Sequence, residues 1–294
     1  MKAAILSCAA VLLLQTQFRS GVDVVQVDVS VMRGGAAVAG LKAENFTLTD
    51  NGVEQQITSA TLDQLPLSVI MVLDVSGSVA GERLAHLIEA GQMLVNGMRP
   101  DDRTALVTFS EYVKLEVPLT KDAAAVSRSL AALEGRGATS LYDAVHVAMQ
   151  LRPMDTSRTV LLVFTDGADN LSWLRSDGVL DEARRSRVVI HAVQLLDPNE
   201  AQQPTARARD PQAMPPLQAL TMASGGRVWS ATSSADLRRL FTQALEEMRA
   251  RYLLTYTPKG GTSQEGWHEL KVTLKNARGD VTARPGYLVA PKGH

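Results

Sequence analysis

Residues 67–78 read LSVIMVLDVSGS, a nearly continuous apolar run that ends in alternating polar side chains. Strands that are covered on both faces of a sheet have such runs, whereas half-exposed strands alternate between apolar and polar residues. A second run of this kind covers Thr159–Phe164 and is followed by Thr165-Asp166-Gly167. We interpret the two runs as buried strands of a mostly parallel sheet.

Strands and helices alternate around these two runs, as they do in a layered α/β domain. Further strands are predicted at Thr104–Phe109, Val113–Leu119, Val188–Leu195 and Arg227–Ser230. Helical patterns cover residues 84–98, 122–133, 140–151, 176–186, 219–224 and 237–248. The predicted fold class is therefore α/β, with a doubly wound, mostly parallel, Rossmann-like sheet.

The 294 residues exceed one typical domain of roughly 100–200 residues, and the flanks differ from the centre. Alternating strands are predicted at residues 25–31 and 46–48, with a hairpin turn at Asp50-Asn51-Gly52 and a return strand over Val53–Ile57. Strands are also predicted at Leu253–Thr257, His268–Leu274 and Val281–Leu288. We expect β units at 21–64 and 252–294 that pack into one small antiparallel module beside a domain at 65–251.

The N-terminus has the pattern of a secretory signal peptide. Met1-Lys2 precedes a short apolar run, Ala3–Leu14, which predicts a signal at residues 1–20 and a secreted or periplasmic protein. The alternatives are a buried N-terminal helix or, through Cys8, a lipoprotein. The run is too short to span a bilayer, so we expect no membrane span in the mature chain. A net charge of -1 also argues against nucleic acid as a partner.

Polar residues follow the first buried strand in an alternating pattern. Ligands of a doubly wound sheet bind beyond the carboxyl ends of its strands. An extended loop there directs alternate residues to the same side, so Asp74, Ser76 and Ser78 can converge on one point. The alternative is that the two serines only cap the following helix.

Two further segments complete a pattern that resembles a known family. Asp74-x-Ser-x-Ser, then Gly137-x-Thr-x-Leu, then Thr165-Asp-Gly resemble the metal-ion-dependent adhesion site of von Willebrand factor A domains. The resemblance covers about residues 66–250, and it implies that the two serines and the threonine bind the cation while both aspartates support it. The implied metal ligands are Asp74, Ser76, Ser78, Thr139 and Asp166.

The chemistry of these five side chains agrees with the resemblance. All are hard oxygen ligands, which suit Mg²⁺, with Mn²⁺ or Ca²⁺ as alternatives, and do not suit zinc or copper. The resemblance also implies a partner protein that presents an Asp or Glu carboxylate to the cation. Asp169 and Asn170 are interpreted as residues that shape the turn, with contact to a metal-bound water as the alternative.

Weaker similarities extend over the flanks. They resemble secreted bacterial VWFA-related proteins, mainly in strand pattern and in Arg284-Pro285-Gly286-Tyr287. The proline-rich stretch 197–216 interrupts the domain, and loops this long are usually functional or disordered. We predict that this loop shapes the binding face, where Arg207 and Arg209 meet acidic groups of a partner. Trp173 is a candidate for the same surface.

The predicted function is a metal-dependent, adhesion-type protein-binding module, and not an enzyme. The sequence contains no Gly-x-Ser-x-Gly motif, no His-Glu-x-x-His motif and no phosphate-binding loop. Two alternatives stay open. One is a metal-assisted hydrolase or transferase. The other is a structural envelope protein in which the metal only stabilises the fold.

Overall fold

The structure is a computed structural model that describes residues 24–63, 65–155, 157–166, 169–195, 216–231, 233–259 and 265–289. Five strands come first, in the order β1 (Val25–Arg33), β2 (Ala36–Ala37), β3 (Phe46–Asp50), β4 (Val53–Gln55) and β5 (Ile57–Asp63). Asn51 and Gly52 have positive φ angles of 49° and 78°, so β3 and β4 form the tight hairpin that the sequence predicts.

The α/β domain follows β5 directly. Its strands are β6 (Leu67–Asp74), β7 (Arg103–Phe109), β8 (Val113–Thr120), β9 (Arg158–Thr165), β10 (Val189–Leu195) and β11 (Val228–Ala231). Its helices are α1 (Glu82–Asn96), α2 (Ala123–Ala131), α3 (Leu141–Gln150), α4 (Ser176–Arg185), α5 (Pro216–Ser224) and α6 (Ser234–Arg249). The last strands are β12 (Arg251–Tyr256), β13 (Gly266–Leu274), β14 (Asp280–Ala283) and β15 (Gly286–Val289).

The central sheet has the strand order β11-β10-β9-β6-β7-β8. All pairs in it are parallel except β7–β8, which makes β8 an antiparallel edge strand. β6 and β9 lie side by side with Leu73 opposite Phe164, so their carboxyl ends share one edge of the sheet. The sheet is therefore mixed, and the residues that follow β6 and β9 are brought together.

Helices cover both faces of this sheet. All residues of β6 and β9 are buried, which agrees with their apolar runs. One core cluster packs α1, α2 and α6 on one face, and a second packs α3, α4 and α5 on the other. Alternate residues of β6 therefore enter different cores, as Met71 and Val72 do.

Strands from the two flanks pair with each other in two further sheets. One has the order β14-β1-β12-β5, with β2 paired to β1, and the other has the order β15-β13-β3-β4. Their shared core includes Val29, Leu48 and Leu254. We call these two sheets the β module. Both the entry to the α/β domain, through β5, and the exit from it, through β12, are strands of one sheet.

Two predicted strands are each divided between the two sheets of the module. The predicted return strand Val53–Ile57 is wrong, because β4 pairs with β3 and β5 pairs with β12. The predicted strand Val281–Leu288 is also wrong, because it breaks at Pro285. Proline has no N–H to continue a ladder, and the Pro285 carbonyl instead accepts a hydrogen bond from Leu270 N at 2.8 Å.

A buried carboxylate lies at the centre of the β module. Asp50 is 5% exposed, and its Oδ2 accepts hydrogen bonds from the hydroxyls of Tyr256 at 2.7 Å and Tyr287 at 2.9 Å. Its Oδ1 lies 2.9 Å from His268 Nδ1. Burial first, and then the hydrogen bond to Asp50, raise the pKa of Tyr287 to about 12, although the bond with Tyr256 lowers it. Asp50, the last residue of β3, thus connects β3 to β12, β13 and β15 through one hydrogen-bonded cluster.

Some predicted features lie outside the described residues. One is the predicted signal peptide at 1–20, which includes Cys8. The other is the predicted loop 197–216, which includes Arg207 and Arg209. Only its last residue, Pro216, is described, as the first residue of α5. Within the described ranges, none of the helices combines the length and the apolar character that a membrane crossing requires.

Candidate metal centre

Asp74, the last residue of β6, is completely buried at the edge of the sheet. Its Oδ1 accepts a hydrogen bond from Ser76 N at 2.9 Å, and its Oδ2 accepts one from Thr165 Oγ1 at 2.7 Å. Burial raises the pKa of Asp74, the hydrogen bonds lower it, and the charge of Asp166 raises it. A buried carboxylate of this kind is stabilised by a nearby positive charge.

The two serines present their hydroxyls together. Ser76 Oγ and Ser78 Oγ are 3.1 Å apart. Ser76 directly precedes a 3-10 turn over Gly77–Val79, and Ser78 lies within it. Helix α1 begins only at Glu82, after Gly81, and its N-cap makes no side-chain hydrogen bond. The alternative that these serines cap the following helix is therefore wrong, because their hydroxyls lie within hydrogen-bond distance of each other instead.

The loop that carries Thr139 packs against the serine loop. Gly77 N donates to Gly137 O at 2.9 Å, and Arg136 N donates to Val75 O at 2.7 Å. Gly137 has φ +85°, and a Cβ there would lie 2.8 Å from Glu111 Cγ. The positive φ angle favours glycine at this position.

Asn170 and Asp169 hold Thr139 in place. Thr139, which is 2% exposed, donates its backbone N–H to Asn170 Oδ1 at 2.9 Å and accepts from Asn170 N and Leu171 N at 3.0 Å each. Asp169 Oδ1 accepts from Leu141 N at 2.8 Å. These bonds agree with the interpretation of Asp169 and Asn170 as residues that shape the backbone. The sequence did not show that the backbone they support is that of the Thr139 loop.

Asp166 directly follows β9 at the same edge. Its charge is among the causes that raise the pKa of Asp74, so the two carboxylates are close enough to interact. Its backbone carbonyl accepts a hydrogen bond from Gln194 Nε2 at 3.3 Å. The structure thus brings the loops that carry all five predicted ligands to one edge of the sheet.

The donor set fits a hard cation. Among the described residues, no group of three or more His, Cys, Asp or Glu side chains is arranged to hold a metal ion. A cation at this edge would therefore rely on hydroxyl oxygens beside two carboxylates, which is a ligand chemistry suited to Mg²⁺ rather than to zinc.

Exposed aromatic side chains lie beside this edge. Trp173 is 94% exposed and Tyr112 is 80% exposed. Asp143 accepts hydrogen bonds from Trp173 N at 3.0 Å and Leu174 N at 2.9 Å, which fixes the backbone of this segment on the first turn of α3. Exposed apolar residues held in this way are suited to contact a partner.

Comparison with known proteins identifies the domain. Residues 69–168 match the family model described as von Willebrand factor type A domain. The chain contains a von Willebrand factor type A domain. The resemblance to von Willebrand factor A domains is confirmed over residues 69–168, and so is the α/β fold class at the level of this domain type. Domains of this type serve mainly in protein–protein interaction and adhesion rather than in catalysis.

Two relatives match part of this chain. An uncharacterized protein of Synechocystis sp. is 28% identical over 108 residues, which are 35% of this chain and 26% of that protein. The inter-alpha-trypsin inhibitor heavy chain H4 of Bos taurus is 28% identical over 120 residues, which are 36% of this chain and 13% of that protein. The chain thus spans about a quarter or less of these relatives.

Solved structures share the fold at low sequence identity. The von Willebrand factor type A structure from Catenulispora acidiphila has a TM-score of 0.53 and 12% identity, covering 87% of this chain and 76% of that one. The conserved hypothetical protein BatB from Bacteroides thetaiotaomicron has a TM-score of 0.50 and 15% identity, covering 63% of this chain and 100% of that one. These similarities support the fold of the domain alone.

Proposed function

We propose that the protein is a secreted or periplasmic, adhesion-type binding module that engages a partner protein through one divalent cation, most readily Mg²⁺. The cation is held by the oxygen atoms of Asp74, Ser76, Ser78, Thr139 and Asp166. The observation that carries this proposal is the fully buried carboxylate of Asp74, which lies beside two converging hydroxyls and within electrostatic reach of Asp166.

A cation bound here attracts one further anionic oxygen, which in this proposal is an Asp or Glu carboxylate of the partner. The chain's own residues position the donors. Thr165 and Ser76 N orient the Asp74 carboxylate, and Asn170 orients the Thr139 backbone. The aromatic surface at Tyr112 and Trp173 supports binding rather than catalysis as the role of this edge.

Metal binding is tested by calorimetric titration of the purified protein with Mg²⁺ and Mn²⁺. We expect one site, and we expect Asp74→Asn or Asp166→Ala to weaken binding by about 100-fold or more, because the first removes a charge and the second removes both a charge and a ligand. Asp177→Ala is the matched control, since Asp177 is exposed and pairs only with Arg175 at 3.2 Å. Unchanged affinity in both site variants, with native melting curves, would disprove the site.

Partner binding is tested separately on the exposed aromatic surface. We expect Trp173→Ser to reduce capture of the partner by about tenfold in an envelope pull-down with Mg²⁺, because buried aromatic anchors contribute strongly to interfaces. Metal affinity should stay unchanged, since only the backbone of Trp173 is bonded to the domain. Chelation should abolish capture. If chelation lowers the melting temperature but releases no partner, the metal is structural and the binding proposal fails.

A further inference from the structure

A second candidate site lies at the opposite edge of the domain from Asp74. A cavity of about 510 Å³ opens between the β module and the amino end of β10, where Val189 lines it. Five arginines from four elements or their connections line this cavity: Arg184, Arg185, Arg187, Arg251 and Arg284. Of the described residues that line it, Asp28 is the single carboxylate.

The acidic groups nearby do not balance this charge. Asp28 is already paired with Arg158 at 2.9 Å, and Asp181 pairs with Arg184 at 3.0 Å. Within the described ranges, neither Arg185 nor Arg187 has an ion pair, and both are exposed. At least two guanidinium groups at this cavity are therefore without a counter-charge.

Arg284, which is half-buried, also lies close to other positive charges. Arg284 donates a hydrogen bond to the Ser186 carbonyl. Burial lowers the pKa of Arg284, Asp28 opposes this shift, and the charge of Arg187 lowers the pKa further. The cavity therefore brings like charges together, an arrangement that costs free energy unless an anion lies between them.

Arg251 forms part of the cavity wall and is the most deeply buried of the five. It is 1% exposed, and its Nη2 donates to Gly225 O at 3.2 Å. Its Nε and Nη1 are buried, and neither has a hydrogen-bond partner among the described residues. Burial lowers the pKa of Arg251, and the charges of Asp28 and Glu247 oppose this shift. Within the described part of the chain, two of its N–H-bearing nitrogens stay without an acceptor, and an oxyanion in the adjoining cavity would offset the cost of burying them.

We propose that this cavity binds a small polyanion whose oxyanion groups, phosphate or carboxylate, pair with Arg185, Arg187 and Arg284. Guanidinium groups match both oxyanions with paired N–H donors. The volume lies within the range of roughly 300–1,000 Å³ that is usual for small-molecule sites. The site is independent of the proposed cation, which lies at the other edge of the sheet.

The test is calorimetric titration with pyrophosphate and, separately, with citrate, which represent the two oxyanions. Both probes and any soluble chelator bind cations, so the buffer is freed of metal with an immobilised resin. We expect saturable binding of at least one probe. The double variant Arg185→Ala/Arg187→Ala should weaken it on the order of 10- to 100-fold, because charge-assisted hydrogen bonds are lost. Both residues are exposed, so the variant should fold normally.

Arg128→Ala is the control, because Arg128 is an exposed arginine on α2, far along the chain from the cavity residues. It should bind both probes like the unmodified protein. The double variant should also keep its Mg²⁺ affinity, which separates this proposal from that of the metal site. The absence of saturable binding for both probes, or equal affinity in the double variant and the control, would overturn the proposal.

Discussion

Deleting residues 258–294 should destroy the β module and leave a chain that aggregates. The deletion removes β13, which lies between β3 and β15, and it removes β14 from the edge of β1. β3, which carries Phe46 and Leu48, would then lose the strand that pairs with it and expose an unpaired edge. Two-stranded remnants of this kind are at best marginally stable in water. Size-exclusion chromatography should show aggregates, and circular dichroism should show reduced strand content.

The matched control is removal of residues 290–294 alone, which leaves all the described strands in place. This shorter deletion should elute as the full chain does and melt at the same temperature. A chain that lacks 258–294 and still remains monomeric with an unchanged melting temperature would show that β1 is stable without β14 and β3 without β13.

Replacing Asp50 by alanine should lower the free energy of unfolding by about 3 kcal/mol or more, because three buried polar groups lose their acceptor. These groups are the hydroxyls of Tyr256 and Tyr287 and the ring nitrogen of His268. On the usual scale for a protein of this size, the melting temperature should fall by roughly 6–12 °C. Thermal melting followed by circular dichroism measures this shift.

Two conservative variants show whether the hydrogen bonds are the cause. Asp50→Asn keeps the shape and one acceptor oxygen, so it should fall between the parent and the alanine variant. Tyr287→Phe removes a single hydroxyl and should cost about 1 kcal/mol. Equal melting of Asp50→Ala and the unmodified protein would mean that water satisfies these groups and that the cluster contributes little stability.

The sequence predicted the α/β domain well because its strands are buried on both faces. A run such as residues 67–73 has few interpretations in a domain of this size, and it is found as β6. The β module was harder. Apolar and polar residues alternate in its strands in the same way whichever sheet a strand joins. The pattern of Val53–Ile57 therefore did not show that the chain changes sheets at Gln56.

The site residues could be named from spacing, but the groups that support them could not. Thr165 and Asn170 act through bonds between segments that are distant in sequence. For Asp50, in contrast, the sequence contained a signal that its side chain is buried. It continues the alternation of Phe46 and Leu48 and so belongs to their buried face, yet its place before Asn51-Gly52 led to its interpretation as a turn residue alone.

The β module also sets the order in which the chain can fold. Tyr256 bonds to Asp50 across 206 residues, and β1 pairs with the same strand, β12. Pairing over such separations is slow, and it leaves strand edges exposed in the meantime. β1 and β5 must wait for their partner β12, and β3 for its partner β13, both of which follow the whole α/β domain in the chain. The first strands to be made are thus among the last to be completed, and the β module closes only after the α/β domain has been made.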